Sequence, residues 1–150
     1  MHNLVIRTAV TADREALEAL QRRASLSNPG DREALLAHPD AIELPTSQIS
    51  AGHVFVVEQG ATIVGFSAVL PRDDRDTDLD GLFVEPELWG QGIGRLLVEH
   101  CVVFAHAHGS SALHVVGNPH AQGFYTACGF ELLGHVETRF GVALSFRRSV

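Results

Sequence analysis

The chain has no lysine: its eleven basic residues are all arginine, set against eighteen acidic residues in 150, for a formal net charge of −7. The lack of lysine excludes a P-loop lysine, a Schiff-base lysine and a lysine general base. The acidic balance argues against a general nucleic-acid or anionic-membrane footprint. Cys101 and Cys128 are the only cysteines, too few for a disulfide framework or a structural zinc site. No apolar run is long enough to span a bilayer, and the first residues show no basic-then-apolar signal pattern. Repeats, low-complexity tracts and long linkers are also missing. The expectation is one soluble, cytoplasmic domain over residues 1–150, with no nucleic-acid or membrane partner and enough chain to bury a core.

What is present is patterned. Asn3 to Thr8 reads as a strand. A helix follows, with Thr11 or Asp13 as its cap, Ala16, Leu17, Leu20 and Ala24 on one stripe, and Asn28-Pro29-Gly30 as its stop. A short helix is expected from Asp31 to about His38, and Pro39 to Gly52 carries only a weak pattern. Two apolar runs around Gln59-Gly60 predict a hairpin from His53. The acidic turn Asp73 to Asp76 leads into a third run, TDLDGLFVEP. A glycine-rich loop then opens a helix from about Gly92 to His108, where Ile93, Leu96, Leu97, Cys101 and Phe104 recur at half-buried spacing. Ser111 to Gly117 is another strand. Asn118-Pro119 opens a helix carrying Ala121, Phe124, Tyr125 and Cys128, which Gly129 ends. Two closing strands, Phe130 to Val136 and Val142 to Arg147, complete an α+β chain with a sheet of mixed direction rather than a doubly wound one.

The glycine loop, Trp89-Gly90-Gln91-Gly92-Ile93-Gly94-Arg95, lies between a strand and a helix. Its glycines let backbone approach a ligand, and loop amides converge with a helix N-terminus on one anion-binding point. Arg95 adds charge there. A Rossmann dinucleotide site wants G-x-G-x-x-G and a later acid, and the next strand instead ends in Gly117-Asn118. A P-loop wants a lysine. A coenzyme A pyrophosphate and a plain tight turn both remain open on these residues alone.

The order strand, V-x-P, glycine loop, helix, strand and N-x-x-A-x-x-F-Y-x-x-x-G-F resembles the GCN5-related N-acetyltransferase family. The resemblance is carried by LFVEPELWGQGIGRLLV (82–98) and NPHAQGFYTACGF (118–130). It departs at Trp89, where the family usually has Gln or Arg. The resemblance implies an acyl-CoA N-acyltransferase fold: a mostly antiparallel mixed sheet, splayed at the V-x-P, with helices on both faces. It implies acetyl-CoA as co-substrate, no metal, and an amine acceptor, small molecule or peptide, attacked directly in a ternary complex. Leu82, Phe83 and Val84 would hold the pantetheine arm through main-chain groups, with the Val84 amide facing the thioester oxygen. Residues 89–95 would take the pyrophosphate. Tyr125 would be the general acid toward the sulfur, with Phe124 beside it, and Asn118 would cap its helix and bond the cofactor. Dimers are common in such proteins, so a homodimer is compatible with the resemblance. The alternative is a non-catalytic acyl-CoA-binding sensor or interaction module on the same fold.

Acetyl transfer needs a neutral amine. A lysine-type amine is neutral in only about 10⁻³ to 10⁻⁴ of molecules at pH 7, a penalty of roughly 4–5 kcal/mol, whereas an α-amine costs only about 1 kcal/mol. A placed base therefore speaks to the substrate. Asp80 and Asp78 alternate on one face of the strand before the splay and are the base candidates. Glu85 is a third, expected in an exposed loop beside Pro86. Nine histidines show no metal-ligand spacing. His114 and His120 flank the expected cleft, where they could touch substrate, and Arg139 lies between the last strands.

Overall fold

A computed structural model describes residues 3–139 and 141–150. The chain is arranged as two compact units. One is the described part of Met1–Ala68 with Gly81–Leu97, the other the described part of Val69–Asp80 with Val98–Val150.

In the first unit, β1 (Leu4–Thr8) leads through a 3-10 turn, Thr11–Asp13, into α1 (Arg14–Ser27). Asp13 starts the turn by accepting the Val10 amide at 2.8 Å while pairing with Arg7. The buried stripe of α1 is Leu17, Leu20 and Ala24; Ala16, expected on it, is exposed, because the contact face is narrower than the apolar pattern. Asn28 is extended, as a residue before proline prefers, and Pro29 opens α2 (Pro29–Ala37) instead of only stopping α1. Proline suits the first helical position, so the second helix begins two residues before Asp31. The weakly patterned stretch holds α3 (Thr46–Ser50), anchored by buried Ile49. The predicted hairpin is β2 (Val54–Gln59) antiparallel to β3 (Thr62–Pro71), turning at Gly60 with φ +65°. Leu17, Leu20, Ile49, Val54, Val56 and Phe66 form one core cluster, with Phe83 against it.

In the second unit, β4 (Thr77–Val84) begins and α4 (Ile93–Ala107) ends. They are joined there by β5 (Ala112–Gly117), α5 (Gln122–Ala127), β6 (Glu131–Thr138) and β7 (Gly141–Ser149). β5 runs parallel to β4 only over Leu113–Val115, opposite Thr77–Leu79, while its antiparallel ladder with β7 continues to Gly117. The β4–β5 ladder thus stops five residues before Val84. Strand alternation buries Leu79, Leu113, Val115, Leu144 and Phe146, and Val98, Cys101 and Ala105 of α4 are buried too. The other face carries Asp78, His114 and Arg147 in one registered row. Buried Thr77 meets the Ser110 hydroxyl at 2.9 Å, and Ser110 donates to the Arg75 carbonyl.

Among the described residues the strands follow the order β1-β2-β3-β4-β5-β7-β6 in a mixed seven-stranded sheet, with β3 and β4 each divided between the units. No helix among the described residues is long and apolar enough to cross a membrane.

Candidate functional site

In the first unit, β4 ends at Val84, a 3-10 turn covers Pro86–Leu88, and α4 starts at Ile93. Between them Gly90 and Gly92 adopt φ +81° and +88°, a conformation that side-chain-bearing residues avoid. A Cβ on either would meet nothing within 4 Å, so the loop backbone is open to a ligand. The first-turn amides of α4 have no partner within the helix, and Gly92 accepts the Leu96 amide to start its ladder. Gly65 explains how the helix start comes so close to β3: a Cβ there would lie 3.1 Å from Ile93 Cγ2 and 3.2 Å from the Phe83 carbonyl. That role was not legible in the sequence.

The side chains of Leu82 and Val84 pack with Ile93 in a second core cluster, and Phe83 lies 5.3 Å from Phe66, centroid to centroid. All three side chains are partly buried by this packing. Trp89, where the motif departs from the family pattern, donates its indole N–H to the Val84 carbonyl at 2.8 Å and ties the loop to the strand end. Gln91 and Arg95 are exposed along the loop and first helical turn. Glu85 is not the exposed loop carboxylate expected. Arg23 grips it through two bonds, at 2.9 and 2.8 Å, and that guanidinium holds its carboxyl below the usual range despite partial burial. A base so held takes up a proton poorly at neutral pH.

In the second unit, Asn118 caps the 3-10 turn Pro119–Ala121, accepting the His120 amide at 2.9 Å. The helix proper starts only at Gln122. Tyr125 is buried, with Phe124, Phe130 and Phe146 at centroid distances of 5.2, 5.4 and 5.3 Å. Phe124, expected on the same packed face, is 36% exposed, since neighbours in a six-residue helix point about 100° apart. Gly117 makes room for the tyrosine: a Cβ there would stand 2.9 Å from Tyr125 Cε2.

Asp78 and Asp80 share the face of β4 opposite Leu79, as alternation predicted, and Arg72 bonds Asp78 at 3.3 Å. Tyr125 packs on Phe146, on the buried face. The base and acid candidates therefore lie on opposite faces of the sheet in this unit.

Asp76, in the acidic turn before β4, is largely buried. It accepts the amides of Ser111 and Ala112 at 3.0 and 3.2 Å, and bonds His114 Nε2 at 2.7 Å. The His114 bond, aided by these amides and opposed by burial, holds its carboxyl below the ordinary range. The D-x-D-x-D alternation from 76 to 80 was the available signal. Among the described residues no cluster of His, Cys, Asp or Glu is arranged to hold a metal ion.

A mixed α+β sheet with a truncated parallel β4–β5 ladder and a left-handed glycine loop opening α4 is the arrangement of the acyl-CoA N-acyltransferase fold. Solved structures share it. PaiA N-acetyltransferase from Thermoplasma acidophilum, in complex with coenzyme A, superposes with a TM-score of 0.79 at 15% identity, covering 99% of each chain. A GCN5-related N-acetyltransferase from Rhodopseudomonas palustris gives 0.75 at 18% identity, covering 100% of this chain and 98% of that one. The model of the acetyltransferase (GNAT) family matches residues 16–130, and the chain belongs to that family. The peptidyl-lysine N-acetyltransferase YjaB of Salmonella typhimurium is 39% identical over 59 residues, 39% of each chain. The matched stretch thus spans about two fifths of the length of the curated relatives.

Proposed function

We propose that this protein is an acetyl-CoA-dependent N-acetyltransferase that moves an acetyl group to a primary amine by direct attack. The observation that carries the reading is the open loop with left-handed Gly90 and Gly92 at the start of α4, tied by Trp89 to the end of β4. An anion is favoured there by backbone amides and the helix dipole without any lysine. The family match, which runs through both units, supports treating residues 1–150 as one functional domain.

Acetyl-CoA, when bound, supplies an activated thioester whose thiol is a fair leaving group. Residues 89–95 hold its pyrophosphate, main-chain groups of Leu82, Phe83 and Val84 pair with the pantetheine arm, and the Val84 amide donates to the developing oxyanion. The Trp89 bond holds the carbonyl of the next peptide, Val84–Glu85, and so ties the loop to the strand end beside that amide. Asn118 caps the turn that leads to Tyr125, and Phe124 walls its exposed side. Tyr125 donates its phenolic proton to the departing thiolate. Asp80, with Asp78 beside it, receives the amine from the opposite face, as base or as counter-charge to the ammonium. The lysine-peptide activity named for the Salmonella relative supports a peptide or lysine-type acceptor.

Calorimetric titration with acetyl-CoA and free CoA tests the loop, and thiol release with a panel of amines tests the transfer. Tyr125→Phe should keep coenzyme affinity and lower kcat roughly 10- to 100-fold. Unchanged kcat would remove the role of Tyr125. Binding without transfer to any amine would favour the alternative, a non-catalytic acyl-CoA sensor.

A further inference from the structure

The end of β4 is held from both faces of the strand, and one of the holds is an ion pair that the reaction just described leaves unused. Leu82 and Val84 pack into the cluster with Ile93 and Leu97. Alternation turns Phe83 and Glu85 the other way, toward α1. Phe83 packs against the core cluster that contains Leu17 and Leu20 of α1. One turn beyond Leu20, Arg23 grips Glu85, with Nε donating to Oε1 at 2.9 Å and Nη2 to Oε2 at 2.8 Å. The backbone of Glu85 is fixed as well. Its amide donates to the Val64 carbonyl at 2.8 Å, and its carbonyl accepts the Leu88 amide at 2.9 Å. All of these residues belong to the first unit, together with the Val84 amide and the glycine loop.

The Glu85 carboxyl is held below the usual range by that guanidinium, so it is ionised at neutral pH. Consecutive Cα atoms lie about 3.8 Å apart and a glutamate side chain adds a similar reach, which keeps this carboxylate within roughly 9 Å of the Val84 amide. That is about one Debye length at physiological salt, close enough for an unpaired carboxylate to repel negative charge gathering on a thioester oxygen at the amide. We infer that Arg23 is a positioning residue for acetyl transfer, gripping Glu85 so that the strand end carries its oxyanion-binding amide beside a neutral pair and not beside an unpaired carboxylate. The inference rests on the acetyltransferase reading and makes Glu85 an anchor of the strand end, not a base.

The two halves of the pair are then unequal. Arg23→Gln leaves a carboxylate whose side chain is only 22% exposed next to the site, where screening is weak. Glu85→Gln leaves a guanidinium that is 52% exposed and well screened by water and salt. A pair that merely fastened α1 to the strand would lose the same contact in either variant and show the same deficit. The charge argument predicts a different pattern, in which removing the carboxylate as well repairs the damage done by removing the arginine. Free CoA has no thioester carbonyl, so its affinity should hardly register either change.

The test measures kcat and the KM for acetyl-CoA on wild type, Arg23→Gln, Glu85→Gln and the double variant. The acceptor is an Nα-blocked lysine amide or a dipeptide with only an α-amine, whichever wild type turns over faster. Arg23→Gln should lower kcat about fivefold to tenfold, Glu85→Gln about twofold or less, and the double variant should return to within about twofold of wild type. Raising salt from about 0.05 to 0.5 M should relieve part of the Arg23→Gln deficit. Calorimetry should find the affinity for free CoA within about twofold of wild type in every variant, as expected where the pyrophosphate is held by backbone amides. Arg23→Lys keeps the charge without the planar fork and should retain most of kcat, which keeps the idea testable if Arg23→Gln folds badly. Equal losses in the two single variants, a double variant no better than Arg23→Gln, or an Arg23→Lys as slow as Arg23→Gln would reveal a strut without an electrostatic role and overturn the inference. So would an Arg23→Gln that matches wild type. If wild type transfers acetyl to neither amine, the acetyltransferase reading fails along with it, a result distinct from a variant that matches an active wild type.

Discussion

Alanine at Gly117 would press directly on the proposed acid. The added Cβ would lie 2.9 Å from Cε2 and 3.4 Å from Cδ2 of Tyr125, and 3.7 Å from Phe146 Cε2. Carbon atoms settle at about 3.5–4.0 Å, so the ring must withdraw by roughly 0.5–1 Å. Phe124, Phe130 and Phe146 already stand around it at 5.2–5.4 Å between centroids, which leaves little space to withdraw into. Gly117 has no left-handed backbone to strain, and alanine would by itself gain about 0.4–1 kcal/mol by stiffening the unfolded chain. Overpacking of this kind costs about 1–3 kcal/mol, so repulsion wins by about 1–2 kcal/mol. A hydroxyl displaced by close to 1 Å should also lower kcat by about tenfold or more. Denaturant midpoints and acetyl-transfer rates on Gly117→Ala, Tyr125→Ala and the double variant separate the two effects. With Tyr125 truncated, Gly117→Ala should cost nothing or should stabilise. The reasoning is refuted if Gly117→Ala matches wild type in both stability and turnover, or if its cost persists without the tyrosine ring.

Two other variants probe neighbouring contacts. Trp89→Phe removes the indole donor to the Val84 carbonyl and should weaken acetyl-CoA binding by about 1 kcal/mol, or about fivefold, in a calorimetric titration; undiminished affinity would mean the bond does not order the loop. Asp76→Asn should destabilise the protein by about 1–3 kcal/mol at neutral pH, because a charge-assisted bond and two amide contacts are weakened. The folded carboxyl titrates below the ordinary aspartate range, so its stabilisation is complete above that range and is lost as pH falls through the lower folded value. Wild type and variant should therefore converge in thermal stability below about pH 4 and diverge above it. Parallel curves across that window would show that Asp76 contributes nothing through its charge.

Much of this architecture was legible because periodicity and turn chemistry agreed. The hairpin at Gln59-Gly60, the helix after Gly92 and the cap at Asn118 each had a local signal that packing reinforced. Pro29 was ambiguous since proline both stops one helix and starts another, and here it starts one. The helix Thr46–Ser50 had no periodicity to show, being one turn long and set by the burial of Ile49. For the candidate site, the loop and Tyr125 were readable as a motif. The parts that depend on neighbours distant in the chain were not: Gly65 under Ile93, Gly117 under Tyr125, Arg23 on Glu85 and Asp76 on His114. Each is a glycine or a charge whose purpose exists only once another strand or helix lies beside it.

Trp89 also has a spectroscopic consequence. It is the only tryptophan in the chain, it is 47% exposed, and its ring nitrogen is bonded to the end of β4. Indole emission depends on solvent contact and on the hydrogen bond of that nitrogen. The intrinsic fluorescence of the unmodified protein is thus a single-site signal from the glycine loop, undiluted by any other indole. Ligand arrival, and loosening of the loop on heating or in denaturant, can be followed there in real time without attaching a dye.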